Sequence, residues 1–179
     1  MKARIHPRDT SRTEHSWRYT RLLAASALCL VAAACTDGAG GAVGAAMSNE
    51  LVDPASGASC GQGANVRITK NGFQTVLNGQ CGAVVITGSN GSVNVDHARS
   101  IRVEGTQVTV LNEKVETLET VGSDNTFNMT EVGHATVAGD RNTLLGRNYR
   151  QVTFKGKDNS VNTDNEPQLD DQGTGNKVI

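Results

Sequence analysis

Val84-Val85-Ile86-Thr87-Gly88 and Val152-Thr153-Phe154-Lys155-Gly156 are one phrase written at two distant points of the chain. In both, apolar residues stand at alternate positions and a glycine closes the run. Alternation with period two, enriched in β-branched side chains, marks a strand rather than a helix. Working outward, the closing glycine recurs as Gly88, Gly105, Gly122, Gly139, Gly156 and Gly173, each 17 residues after the last. A strict period of that length is the signature of a solenoid, one coil per repeat.

Other columns keep the step. Val76, Val93, Val110, Phe127, Leu144, Val161 and Val178 form one apolar column. Val84, Ile101, Leu118, Ala135, Val152 and Leu169 form a second. Ile86, Val103, Val137 and Phe154 form a third, broken by Thr120, and Cys81, Ala98, Val115, Val132 and Tyr149 form a fourth. Asn125, Asn142, Asn159 and Asn176 make a polar column, expected to stack its amides along the axis as in other in-register β structures. The glycines are expected at sharp corners with φ > 0, a region glycine enters without steric cost. Each strand pairs with its copy in the next coil, about 4.8 Å away. The expected fold is all-β: a short parallel β-solenoid over residues 60–179, with about 17 residues per coil and roughly six coils. Asp164 to Asp171, with Pro167, interrupts the last coil as a cap would, and Gly173, Asn176 and Val178 then resume the phase.

Charges test the stacking independently. From residue 82 on, the oppositely charged pairs one period apart are Arg99–Glu116, Arg102–Glu119, Lys114–Glu131, Asp124–Arg141, Asp140–Lys157, Arg141–Asp158 and Arg147–Asp164. Only Asp96–Glu113 is like-signed. Opposite charges on neighbouring strands contribute roughly 0.2–1 kcal/mol each, and exposed pairs lie at the low end.

Positions 1–34 have a different character. Lys2, Arg4, Arg8, Arg12, Arg18 and Arg21 precede 13 mostly apolar residues, Leu22 to Ala34, and then Cys35. An apolar run of that length is a signal-peptide core, too short to span a bilayer. Val31-Ala32-Ala33-Ala34-Cys35 resembles a bacterial lipobox, although Ala32 stands where Leu or Val is commonest. That resemblance implies cleavage before Cys35, which then carries a lipid and anchors the chain to the membrane. Ordinary secretion, with cleavage after Ala32-Ala33-Ala34, is the alternative. Cys29 reads as an apolar residue lost with the leader. Residues 35–59, rich in Gly, Ala and Ser, read as a flexible tether. Removing the leader takes six basic and two acidic residues and leaves 11 basic and 16 acidic, a formal net charge of −5 on 145 residues. An acidic chain without a basic patch argues against nucleic acid as a partner, and 145 residues suit one domain.

Cys60 and Cys81 remain, and in an exported chain two such thiols read as one disulfide. Cys81 belongs to an apolar column, so the bridge is expected to staple an N-terminal cap onto the stack. A metal pair would need further ligands, and no His lies near either cysteine in sequence.

Recognisable chemistry is sparse. His97 and His134 are 37 residues apart, not a multiple of the period, so they are expected on the surface rather than stacked. There is no Gly-x-Ser-x-Gly elbow, phosphate loop or His-Glu-x-x-His motif. Solenoid polysaccharide lyases and hydrolases gather carboxylates in an exposed groove. Here Asp96 and Glu113, beside His97, are the one candidate acid/base pair or weak cation site, set against a plain surface repulsion. Exposed aromatic platforms for sugars are not evident, and the calcium-binding nonapeptide repeat has a different period. No catalytic residue, metal ligand or cofactor is therefore expected.

Cys60, then Cys81, then repeated Val-x-Ile-x-Gly and Asn-x-Val units over about residues 58–163 resemble a domain-of-unknown-function family of actinobacterial cell-envelope lipoproteins. The resemblance implies an exported, often lipid-anchored β-rich domain and carries no catalytic residue with it. The functional expectation is a non-enzymatic structural or interaction solenoid, held at the membrane by its lipid and facing an envelope protein or glycan. A polysaccharide-binding or carbohydrate-active solenoid is the alternative.

Overall fold

The structure is a computed structural model that describes residues 49–179. The expected leader, Cys35 and the tether up to residue 48 lie outside the described residues. The strands are β1 (Glu50–Val52), β2 (Ala58–Ser59), β3 (Asn65–Ile68), β4 (Gln74–Ile86), β5 (Ser92–Val103), β6 (Thr109–Thr120), β7 (Thr126–Val137), β8 (Thr143–Phe154), β9 (Ser160–Thr163), β10 (Gln168–Asp171) and β11 (Lys177–Val178). Every pairing between them is parallel.

The long strands are bent, and each wraps most of one coil. Between β5 and β6 the ladder runs from Ser92↔Thr109 to Val95↔Asn112, then through His97↔Lys114 and Ala98↔Val115, then from Ser100↔Thr117 to Val103↔Thr120. Residues 96 and 99 drop out of the ladder and mark corners. Inward side chains alternate along the straight segments: Val93, Val95, Ala98, Ile101 and Val103 are all buried in this coil. The register of 17 holds from β5 through β8, so each of these residues meets its counterpart in the next coil.

The parallel β-solenoid expected from the period is thus present, with roughly 17 residues per coil, but it has about eight turns rather than six. The difference lies partly at the N-terminus, where the step departs from the period. Val66 pairs with Val84, a longer step, and Glu50 pairs with Asn65, a shorter one. A column read at a fixed step misses such coils. Strands β1 and β2 fall within the stretch expected as tether, and Leu51 and Ala58 pack against the core. The first turn is held by Asp53, whose carboxylate accepts the Thr69 N–H at 2.6 Å and the Thr69 hydroxyl at 2.7 Å. Those bonds hold its pKa below the ordinary carboxylate value.

The same change of step corrects one apolar column. Thr75, not Val76, pairs with Val93 and turns inward, leaving Val76 exposed. A bulge between Leu77 and Gln80 restores the period of 17. Gly79, at φ 84°, supplies its backbone, and its N–H donates to Asp96 Oδ2 at 2.8 Å. Immediately after the bulge, the Cys60–Cys81 disulfide ties the N-terminal cap to the first full coil across a Cα–Cα distance of 4.8 Å. Both cysteines are buried, and the chain-entropy account assigns such a loop roughly 3 kcal/mol.

The glycine ladder has a different cause from the one expected. None of its six members has positive φ. The left-handed column lies two residues later, at Asn90, Gln107, Asp124, Arg141 and Asp158, and ends at Gly175. The glycines are required by close approach. A Cβ on Gly105 would strike the Gly88 carbonyl oxygen, and one on Gly122 would strike that of Gly105, with the same collision at Gly139, Gly156 and Gly173. Each corner thus leans its α-carbon against the carbonyl of the corner before it.

The two columns make opposite predictions. Gly122→Ala, at a negative-φ corner, is expected to cost about 2 kcal/mol or more through overpacking. Gln107→Gly, at φ 55°, is expected to leave stability unchanged or raise it by up to about 1 kcal/mol, as relief of left-handed strain is set against glycine's entropy. Urea unfolding of the two variants beside the parent measures both.

Candidate functional site

The polar side chains of the stack fall into three groups, placed by column. The first is the asparagine ladder. Asn125, Asn142 and Asn159 are about 1% exposed. The Oδ1 of Asn142 accepts the Asn125 N–H at 3.0 Å, that of Asn159 accepts the Asn142 N–H at 2.8 Å, and that of Asn176 accepts the Asn159 N–H at 2.9 Å. Each Nδ2 donates to the glycine carbonyl one coil back: Asn125 to Gly105, Asn142 to Gly122, Asn159 to Gly139 and Asn176 to Gly156, at 3.0–3.1 Å. The amides also link to one another, with Asn142 Nδ2 donating to Asn159 Oδ1 at 3.1 Å. Both ends of each buried amide are spent on the stack, and none is turned toward a ligand. Thr120, which breaks an apolar column, joins this network: its hydroxyl donates to the Gly122 carbonyl and accepts from Asn125 Nδ2.

The second group is the charges. Three of the pairs expected one coil apart close directly: Arg102–Glu119 at 2.5 Å, Lys114–Glu131 at 3.1 Å and Arg141–Asp124 at 2.8 Å. Arg141 gives two nitrogens to Asp124, which lowers the Asp124 pKa and raises its own. Arg141–Asp158 forms no bridge, because that guanidinium is already engaged. Asp140 accepts the backbone N–H of Lys157 at 2.8 Å instead of pairing with its ammonium. Arg99–Glu116 and Arg147–Asp164 are not bridged. Arg67–Glu50, at 3.2 Å, adds a rung in the first coils.

The one like-signed pair does not converge. Asp96 turns back to the Gly79 N–H at 2.8 Å, while Glu113 Oε2 lies 3.8 Å from His97 Nε2. Among the described residues no group of three or more His, Cys, Asp or Glu is disposed to hold a metal. Tyr149, buried and raised in pKa by that burial, donates its hydroxyl to the Leu145 carbonyl at 3.3 Å. Its ring fits because Gly146, facing it, has no Cβ to meet it. Asn112 is buried among apolar residues. Its amide donates to the Val95 carbonyl at 2.9 Å, and its Oδ1 has no partner among the described residues.

The third group is set by geometry rather than by residue type. One corner column runs Gly82, Arg99, Glu116, Gly133 and Arg150. A Cβ on Gly133 would strike the Glu116 carbonyl oxygen, and one on Gly82 would lie 2.6 Å from the Gly63 carbonyl oxygen, so both corners are bare. Arg99 and Glu116 stand between them as a ridge. A hollow of about 550 Å³ lies around Gly82, and one of about 750 Å³ lies around Gly133. The larger is lined by Lys114, Glu116, His134, Asn148, Arg150 and Glu166 among others. His134 Nδ1 lies 3.1 Å from Gln151 Oε1, one coil on. Counting in steps of 17 from Arg99 reveals this column, but its members share no chemistry and so do not stand out.

Asn142→Ala is expected to cost about 2–4 kcal/mol, because the buried Asn125 N–H and Gly122 carbonyl each lose a partner. Asn128→Ala, on the exposed side of the preceding coil, is expected within about 0.5 kcal/mol of the parent. Denaturant titration of both separates a structural ladder from a ligand site, which would leave stability unchanged in either variant.

The family described as "Protein of unknown function (DUF3060)" matches residues 68–118 and again residues 120–175. The chain belongs to that family, and the two matches fall on successive parts of the stack. No curated protein and no solved structure matches the chain.

Proposed function

We propose that this member of a family of unknown function is an exported cell-envelope protein, anchored by a lipid on Cys35, whose solenoid is a non-enzymatic interaction module. The observation that carries the reading is how its carboxylates are used. Asp53, Asp96 and Asp140 accept backbone N–H groups, and Asp124, Glu119 and Glu131 meet cations across coils. These acids hold the stack together, and Asp96 is drawn away from Glu113, the partner that an acid/base reading requires. A rigid stack with a regular side is suited to an extended partner, protein or glycan.

The leader supports export, and the buried Cys60–Cys81 bridge accords with an oxidising compartment. Actinobacterial envelope lipoproteins, which the chain resembles, are the setting that this reading suggests. Anchoring rests on Cys35 with its preceding alanines. A single acyl chain holds a protein only marginally at a membrane, so two or more chains on Cys35 are expected.

Expression in a bacterial host with an alkyne palmitate analogue tests the anchor. The full chain is expected to take up label and to fractionate with membranes, and Cys35→Ala to do neither. An unlabelled, freely secreted parent protein contradicts the anchor and favours cleavage after Ala34.

A further inference from the structure

The hollow over Gly133 has features of a binding site rather than of a gap in packing. Its floor is held bare by the approach of the Glu116 carbonyl to the Gly133 α-carbon, so no side chain fills it. On the same corner column, Glu116 stands one coil before the glycine and Arg150 one coil after. Among the described residues neither has an ion-pair partner, whereas Lys114 and Glu131, which also line the hollow, meet each other. Arg99, the nearest cation along the column, forms no bridge with Glu116. One carboxylate and one guanidinium without ion-pair partners therefore line the same hollow, on corners two coil steps or about 10 Å apart.

The chemistry and the spacing select a ligand. Charges of both signs line the hollow, with Glu131 and Glu166 adding to Glu116, which disfavours a phosphate polymer. No Phe, Tyr or Trp lines it to stack on the face of a sugar. A zwitterion is complementary when its ammonium and carboxylate lie about as far apart as the two corners. An extended chain of three residues spans at most about 10 Å.

We propose that the Gly133 hollow binds a short extended peptide with free ends, its ammonium at Glu116 and its carboxylate at Arg150. This names the partner class for the interaction module proposed above, and so rests on that reading. The ends of the peptide do the recognising and its side chains point outward, so sequence preference is weak. The contacts are exposed, and each end contributes only modestly.

Triglycine is the probe, titrated into the full exported protein and followed by amide chemical shifts. Millimolar triglycine is expected to shift residues around Gly133. N-acetyl-triglycine amide, which lacks both end charges, is expected to shift none of them. Glu116→Gln and Arg150→Gln are each expected to weaken binding about threefold, the effect of one exposed pair. Both positions are exposed, so neither change threatens the fold. The double exchange Glu116→Arg with Arg150→Glu is expected to restore binding with the peptide reversed. No shifts with triglycine, equal shifts with the blocked peptide, or stronger shifts with a neutral oligosaccharide each overturn the proposal. The palmitate experiment reads the anchor separately, so failure here leaves that result standing, and failure there leaves this one.

Discussion

From Gly88 onward, each coil of this protein rests on one atom, the carbonyl oxygen of its corner glycine. From the next coil that oxygen receives two neighbours. The α-carbon of the following glycine lies so close that a methyl group would collide, and from Asn125 onward the side-chain amide three residues later donates to the same oxygen. The two requirements reinforce each other. The bare α-carbon lets the coils approach, and the amide replaces the water that the buried oxygen loses. The same asparagine then accepts the backbone N–H of its counterpart one coil earlier, so one side chain satisfies both a donor and an acceptor across the step. A buried polar group without such partners would cost about 1–3 kcal/mol. The corner therefore sets the spacing, and the spacing keeps the inward columns in contact.

With the corner fixed, the rest of the coil is free to vary within packing limits. Tyr149 sits in a column whose earlier members are as small as Ala98, and Gly146 in the facing column makes the room. Asn112 occupies a position filled by Val95 one coil earlier and by Met129 one coil later. Outward positions vary more, and there the charges form a partial lattice, three direct bridges among the seven sign-matched pairs. Where that lattice is interrupted by a bare corner, at Gly82 or Gly133, a hollow opens. The hollow proposed to bind a peptide is thus generated by the same close approach that builds the stack.

Much of this architecture is legible in the sequence because a period of 17 repeats both its chemistry and its geometry. The inward columns through Ile101, Leu118 and Val152 and the asparagine ladder follow from it, while the Cys60–Cys81 bridge follows from the two thiols of a chain read as exported. Its failures have physical causes. Asn90, Gln107, Asp124, Arg141 and Asp158 share a left-handed backbone and no common side-chain chemistry, so the true φ > 0 column is invisible to residue type. The glycines drew that role instead, although their constraint is distance. The first coils step unevenly, some shorter and some longer than the period, which hides β1 and β2 and misplaces Val76. The Gly133 hollow escapes notice because a groove is made by what is missing between Glu116 and Arg150.

The central claim, that the asparagine of one coil holds the backbone of the coil before it, is tested most directly by amide hydrogen exchange in the full chain. The backbone N–H groups of Asn125, Asn142 and Asn159 sit between strands, where an open loop would exchange quickly. They are predicted to exchange as slowly as the strand amides of β6 and β7, in step with global unfolding. Exchange of these three at the rate of exposed loop amides, while the strands stay protected, would contradict it.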